Sequence, residues 1–233
     1  MKGMNRMKDK DIHAYYNEKG KRIPSVTQVV SLLAKQGISE WANMLGFYHK
    51  NYDKVLKEYA ENGTRFHEAA EKYILDGELP NYNDPFISFK HLESLKKRME
   101  LFTNWFDNHE ITPIYIEKKF VSDDLGGTID MYCLLDDKYT LLDFKTSKNV
   151  RETHVLQLAG YLNLIRDTGH YDLYDKLDQV MVLSIHPDTG LHEYTKTIEE
   201  MKEYRFLFYR LLVLFKDWNS ILSKDWGKDI YKK

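Results

Sequence analysis

The chain has 233 residues, of which 42% are hydrophobic, 30% charged and 14% aromatic, a mixture that excludes intrinsic disorder and is ample for a real core. Its 34 Lys and Arg against 36 Asp and Glu leave a net charge of −2, so no global basic field attracts a polyanion and such binding must come from a local patch. A single cysteine, Cys133, excludes internal disulfides, zinc ribbons and all-cysteine iron–sulfur sites, and any metal must be held by oxygen or nitrogen.

The first eleven residues are charged without an apolar stretch, so neither a signal peptide nor an anchor is expected, and the location is expected to be cytoplasmic. His13-Ala14-Tyr15-Tyr16 and Arg22-Ile23-Pro24-Ser25-Val26 flank Asn17-Glu18-Lys19-Gly20, which predicts a small hairpin or extended arm entering a helix over 26–34. Residues 40–111 read mainly as helix. Phe66, Ala69, Ala70, Tyr73 and Ile74 recur at helical spacing behind Gly63-Thr64, with Thr64 as N-cap, and a second long helix covers 89–108. The pattern changes at Thr112, after which 114–121, 128–135 and 139–146 are three β-favouring runs separated by Asp/Gly turns, as in an antiparallel meander. An amphipathic helix over 152–167 buries Val155, Leu158, Ala159, Leu162 and Ile165; a strand over 179–185 and a long helix over 198–222 complete the chain. The aromatics of that last helix read as core rather than as a base-stacking platform. Its densest apolar run is interrupted by Arg210 and is half the ~20 residues of a bilayer span, so no membrane partner is expected. With no repeat or linker, 1–233 is expected to be one domain: 1–111 mainly helical, 112–187 a sheet with a helix, and 188–233 the end of a strand and a helix.

Strand alternation gathers the chemistry. In Leu141-Leu142-Asp143-Phe144-Lys145, Asp143 and Lys145 share one face. If Asp136-Asp137 is a two-residue loop, Asp130 lies across from Asp143; a four-residue loop opposes it to Lys145, and either way the three side chains keep one face. Opposed carboxylates repel, so a cation between them is expected, and oxygen ligands with a neighbouring Lys suit Mg²⁺ or Mn²⁺. The competing reading is an edge-of-sheet cluster paired with Lys145. Gln157 and Tyr161, at i and i+4 on the following helix, form a polar wall beside the carboxylates, with His154 near the same face.

Gly127-Thr128-Ile129-Asp130, Asp143-Phe144-Lys145-Thr146 and Gln157-Leu158-Ala159-Gly160-Tyr161 resemble motifs II, III and the Gln-x-x-x-Tyr motif of RecB-type PD-(D/E)XK nucleases, and Gly63 to Glu71 resembles their helical motif I. Ile23-Pro24-Ser25-Val26-Thr27, with Trp41 and Gly46, resembles the phage and mitochondrial genome-maintenance exonuclease branch. The resemblance spans about residues 13–187. It implies an α/β fold, a mixed central sheet flanked by helices with a large N-terminal helical region, in a bacterial or phage-infected cell. It implies that His67, Asp130, Asp143 and the Phe144 carbonyl ligate the metal, that Lys145 acts on the attacking water or the developing charge, and that Gln157 and Tyr161 position substrate or Lys145. The cysteine quartet of some relatives is missing, so no iron–sulfur cluster is expected. Without that context His67 reads as a packing residue. Glu71, one turn on, reads equally as a partner of the His67 ring or a surface charge, and Glu117 either aims at the site or pairs with Lys118 or Lys119. Lys148 and Arg151 are the nearest candidates for holding DNA. The expected function is a metal-dependent DNA exonuclease favouring single-stranded ends; the alternatives are a structure-specific endonuclease and a catalytically silent nucleic-acid-binding protein.

Overall fold

A computed structural model describes residues 14–33 and 38–223. The charged N-terminal segment with His13, and the end of the expected first helix at Ala34, lie outside the described residues, as does the side chain of Trp41. β1 (Tyr15–Tyr16) and β2 (Arg22–Ile23) pair antiparallel as the expected hairpin and lead into α1 (Val26–Val30). Ser25 caps α1 in a reciprocal box with Gln28, while the Pro24 carbonyl accepts from Gly126 N at 2.9 Å. The Ile-Pro-Ser-Val-Thr segment therefore staples the hairpin to the sheet.

Helix α2 (Ile38–Phe47) precedes α3 (Tyr52–Asp76) and α4 (Phe89–Asp107). The expected start of α3 is corrected: Asn51 is its N-cap, Thr64 lies inside the helix with its hydroxyl donating back to the Ala60 carbonyl, and Gly77 ends the helix in the left-handed conformation. β3 (Ile111–Val121), β4 (Gly126–Leu135) and β5 (Lys138–Lys145) form the meander; α5 (Glu152–Asp167) and the short α6 (Tyr171–Lys176) cross to β6 (Gln179–His186), which runs parallel to β5. A parallel neighbour needs such a crossover. β7 (Gly190–Thr197) then returns antiparallel, and α7 (Lys202–Ser223) ends the described chain. The sheet order is β3-β4-β5-β6-β7. This is the expected α/β architecture, a mixed sheet flanked by helices. α6 and β7 are additions to the expected elements, and the last helix begins four residues later than expected.

Each face of the sheet has its own core. Helices α1, α5 and α7 cover Ile129, Tyr132, Leu141 and Val182 on one side, and α3 and α4 cover Met131, Leu142, Phe144 and Leu183 on the other. Helix α5 is buried well beyond the expected stripe, and only a glycine fits at position 160, where a Cβ would come within 2.5 Å of Phe208 and 2.6 Å of Val26. Gly160→Ala is expected to cost about 1–3 kcal/mol through overpacking, read as a lowered urea midpoint at unchanged slope. The aromatic α7 is core on one side only: Phe208 is buried, whereas Phe206, Tyr209 and Trp218 are more than half exposed. Among the described residues no helix is long and apolar enough to cross a membrane.

Candidate functional site

The site lies where β4 and β5 part. Their ladder runs from Leu135↔Lys138 to Met131↔Leu142, closed by Asp136 and Asp137 at φ 45° and 63°, the left-handed pair of a type I′ two-residue turn. One further step would set Asp130 against Asp143. Instead the pairing stops, and Phe144 N donates to Asp130 Oδ2 at 2.6 Å, a side-chain oxygen taking the place of a strand carbonyl. Alternation slips at this point, since Ile129 packs on the same side of the sheet as Tyr132. Opposite the slip, between Ile116↔Met131 and Lys118↔Ile129, sits Glu117 at φ 46°. A non-glycine residue held there costs on the order of 1 kcal/mol or more and marks a local constraint.

Helix α3 brings His67 to the same point, its Nδ1 3.5 Å from Asp130 Oδ1 and 3.8 Å from Glu117 Oε1. The ring is braced edge-on against Phe66 and Phe144. Burial alone would lower the His67 pKa, but the Asp130 charge and hydrogen bond, with Glu117, outweigh it and raise it to about 10. Burial likewise works to raise the Asp130 carboxyl, yet His67, Lys145 and the Phe144 N–H together hold it below its usual value. Asp143, fully buried on β5, goes the other way: burial, and then the negative Asp130, overcome Lys145 and raise it to about 6.

Lys145 Nζ meets Asp143 Oδ2 at 2.5 Å, and the Gln157 amide donates to Asp143 Oδ1 at 3.1 Å and to the Tyr161 hydroxyl at 2.9 Å. Tyr161 is itself buried, its ring lying where a Cβ on Gly127 would be only 2.8 Å away, and burial beside Asp143 and Asp130 keeps its phenol well above the usual range. The Gln-x-x-x-Tyr pair thus fixes the Asp143 carboxylate, and Gly127 leaves room for the tyrosine to do so. Gly63, in the expected motif I, faces Thr146 just beyond β5, with 3.6 Å from a Cβ position to Thr146 Oγ1.

The donor set suits a hard divalent ion: ligand atoms of His67, Glu117 and Asp130 lie within 4.8 Å of one another, and among the described residues Asp143 Oδ2 has no hydrogen-bond partner other than its ion pair with Lys145. Carboxylate oxygens with one imidazole fit Mg²⁺ or Mn²⁺. Because His67 is protonated below about pH 10 in the metal-free protein, an ion that ligates it must displace that proton. Mn²⁺ affinity is therefore expected to climb from pH 6 to 9, with about one proton released per ion when calorimetric titrations are compared across buffers; affinity flat with pH would contradict His67 as a ligand.

The remaining expected residues are spread more widely. His154 Nδ1 accepts from Arg151 N at the start of α5. Lys148 and Arg151 are exposed in the β5–α5 connection. Among the described residues the carboxylates within 4 Å of the His67 ring are Asp130 and Glu117, so Glu71 does not hold the ring; its own carboxyl is raised by burial and by Glu117 and Glu68. Of the two readings of Glu117, the structure bears out the one that aims it at the site, beside His67. Its register against Asp130 was the available signal, but the left-handed φ was not legible.

No protein-family model matches the chain, and none of the curated proteins does. Among solved structures it is similar to the protein SSO0001, at 16% identity over 55% of this chain and 61% of that one, with a TM-score of 0.29. It is also similar to an alkaline exonuclease (LHK-Exo) from Laribacter hongkongensis, at 10% identity over 85% of this chain and 92% of that one, TM-score 0.34. A phage-related exonuclease from Haemophilus somnus 129PT is similar at 11% identity over 65% and 81% of the two chains, TM-score 0.27.

Proposed function

We propose that the chain is a divalent-metal-dependent nuclease that hydrolyses DNA phosphodiesters as an exonuclease, acting on single-stranded ends. The observation that carries this reading is the pair of buried carboxylates, Asp130 and Asp143, joined at one strand opening by His67, Glu117 and Lys145. Two carboxylates that raise each other's cost of ionisation are a poor choice for stability alone. They are a good choice for holding a cation, with His67, Glu117 and the Phe144 carbonyl as the further ligands. A bound Mg²⁺ or Mn²⁺ supplies charge to a phosphoryl oxygen and acidifies a water.

The chain's own residues do the rest. Hydrolysis forms a bond from water oxygen to phosphorus, breaks the bond to the leaving sugar oxygen, passes the attacking water's proton to solvent and returns one from solvent to the leaving oxygen. Lys145, 19% exposed beside Asp143, orients that water and offsets the negative charge that grows on the phosphoryl oxygens. Gln157 and Tyr161 keep Asp143 from turning away. Lys148 and Arg151, exposed in the β5–α5 connection, hold the substrate strand by its phosphates.

End-labelled linear single-stranded DNA and closed circular single strands, each with Mg²⁺ or Mn²⁺, test the reading. Progressive release of nucleotides from linear DNA with circles resistant is the expected result, with rates that fall steeply as salt rises. Circles cut as fast as linear strands would exclude the exonuclease and favour an endonuclease; no cleavage of either would leave a silent binding protein.

A further inference from the structure

The outer side of α7 sets exposed rings among cations. Asn163 and Arg166 of α5 meet Lys202, Arg205, Phe206 and Tyr209 of α7 around an open cleft of about 260 Å³. Among the described residues no carboxylate lines it, and Phe206 and Tyr209 are each 58% exposed.

Arg205 is fixed in place by neutral groups. Its Nε donates to Asn163 Oδ1 at 2.9 Å, its Nη1 donates to the Tyr174 hydroxyl, and its guanidinium lies 4.7 Å from the Tyr174 ring centroid. Asn163, itself buried, returns a bond from Nδ2 to the Arg205 carbonyl at 3.0 Å. Among the described residues no carboxylate comes within 4.0 Å of Arg205. Burial, aided by Arg166, lowers the Arg205 pKa against the opposing pull of Tyr174 and Asp167. A partly buried guanidinium held rigidly without a counter-ion is a receptor for an anion, and its planar fork suits phosphate.

The other two cations are free to turn. Arg166 pairs with Asp167 at 3.2 Å and Lys202 with Glu199 at 2.5 Å, all four side chains being exposed. Exposed pairs of this kind contribute little, so either cation can exchange its carboxylate for a phosphate. Arg210 continues the row, its guanidinium 4.2 Å from the Phe206 ring centroid. From Lys202 to Arg210 is about 12 Å of helix, longer than a single phosphate needs. Cations in a row with ring faces between them suit a chain of phosphates that carries bases, a single strand of nucleic acid. Arg166 follows Gln157 by about two and a half helical turns, so the cleft opens on the opposite side of α5 from the pair that holds Asp143.

We propose that the α5–α7 cleft is a second nucleic-acid site, in which Arg166, Lys202 and Arg205 bind neighbouring phosphates of a single strand and Phe206 and Tyr209 stack its bases. This goes beyond the nuclease reading, since the cleft holds a strand away from the metal site and needs no metal.

Fluorescence anisotropy with a labelled oligothymidine of about 20 nucleotides, in excess chelator, tests the site without turnover. Arg166→Ala and Lys202→Ala are each expected to reduce the slope of log affinity against log salt by about 0.7, one phosphate contact on a single strand. Phe206→Ala, Tyr209→Ala and Arg205→Lys are each expected to weaken binding about tenfold with the slope kept. The four alanine variants replace exposed residues, and urea midpoints equal to that of wild type are expected for them. Lys96→Ala, exposed on α4 across the sheet, is the control and should bind as wild type does. Affinity and slope unchanged in all five cleft variants would overturn the site, as would an equal slope loss in Lys96→Ala or a wild type that does not bind the strand. Variants that lose dTMP yet hold the strand as well as wild type would overturn it in favour of a mononucleotide pocket. Cleavage with Mn²⁺ is scored separately. A wild type that binds through the cleft but cleaves nothing removes the nuclease reading and keeps the strand site; one that cleaves while all five variants bind like it keeps the nuclease reading and removes the strand site.

Discussion

Asp143→Asn is expected to abolish metal-dependent hydrolysis, lowering kcat by about 10³-fold or more, and at the same time to stabilise the metal-free protein. The side chain is fully buried and its pKa is raised to about 6, so its ionised form is disfavoured in the fold. Relative to an ordinary carboxyl that amounts to a cost of up to about 3 kcal/mol once the group is ionised. The folded state binds this proton more tightly than the unfolded state does. Wild-type stability should therefore fall as pH rises from about 4 through about 6 and carry the full cost above that. The asparagine variant keeps the shape and the Gln157 partner but has no proton to lose, and its stability should lack this step. Thermal melts in chelator at pH 4.5 and pH 8 measure the difference. A variant less stable than wild type at pH 8 would mean that the Lys145 pair more than offsets the burial of Asp143.

Lys145→Ala and His67→Ala should fail in different ways. Lys145 touches Asp143, and its removal should lower kcat by about 10²–10⁴-fold while Mn²⁺ binds at pH 8 no more weakly than to wild type, because no ligand is lost and Asp143 Oδ2 is released from its ion pair. Removing His67 takes away an imidazole ligand and should weaken Mn²⁺ affinity about tenfold or more. Calorimetric titration of both variants separates the roles; an equal loss of affinity would mean that Lys145 is needed to shape the metal site rather than to act on water and phosphate.

The parts of this site that were legible in the sequence are those governed by local periodicity. Asp143 and Lys145 share a face because strands alternate, and Gln157 and Tyr161 meet because they are one helical turn apart; the turn at Asp136-Asp137 was legible as a turn, while the choice between a two- and a four-residue loop, and with it the register of Asp130, comes from the strand ladder. What was not legible depends on tertiary constraint. Glu117 reaches His67 through a backbone conformation that nothing in its own sequence requires. Thr64 has the chemistry of a cap, yet Asn51 fills that role because the residues between them continue the helix. β7 is an edge strand with polar residues such as His192, Glu193 and Lys196 at its centre, the composition that protects an open edge and hides a strand from a hydrophobicity pattern. Arg98 sits in a run of three basic residues, and only the packing of α4 against β6 and β7 buries it while leaving Lys96 and Lys97 exposed.

The central claim is that Asp130 and Asp143 hold a divalent ion for phosphodiester hydrolysis, and the release of acid-soluble nucleotide from end-labelled linear single-stranded DNA tests it most directly. Wild type with Mn²⁺ should degrade the strand, excess chelator should stop it, renewed Mn²⁺ should restore it, and Asp143→Asn should remain inactive at every Mn²⁺ concentration. Degradation that persists in chelator, or that survives in Asp143→Asn, would contradict the claim.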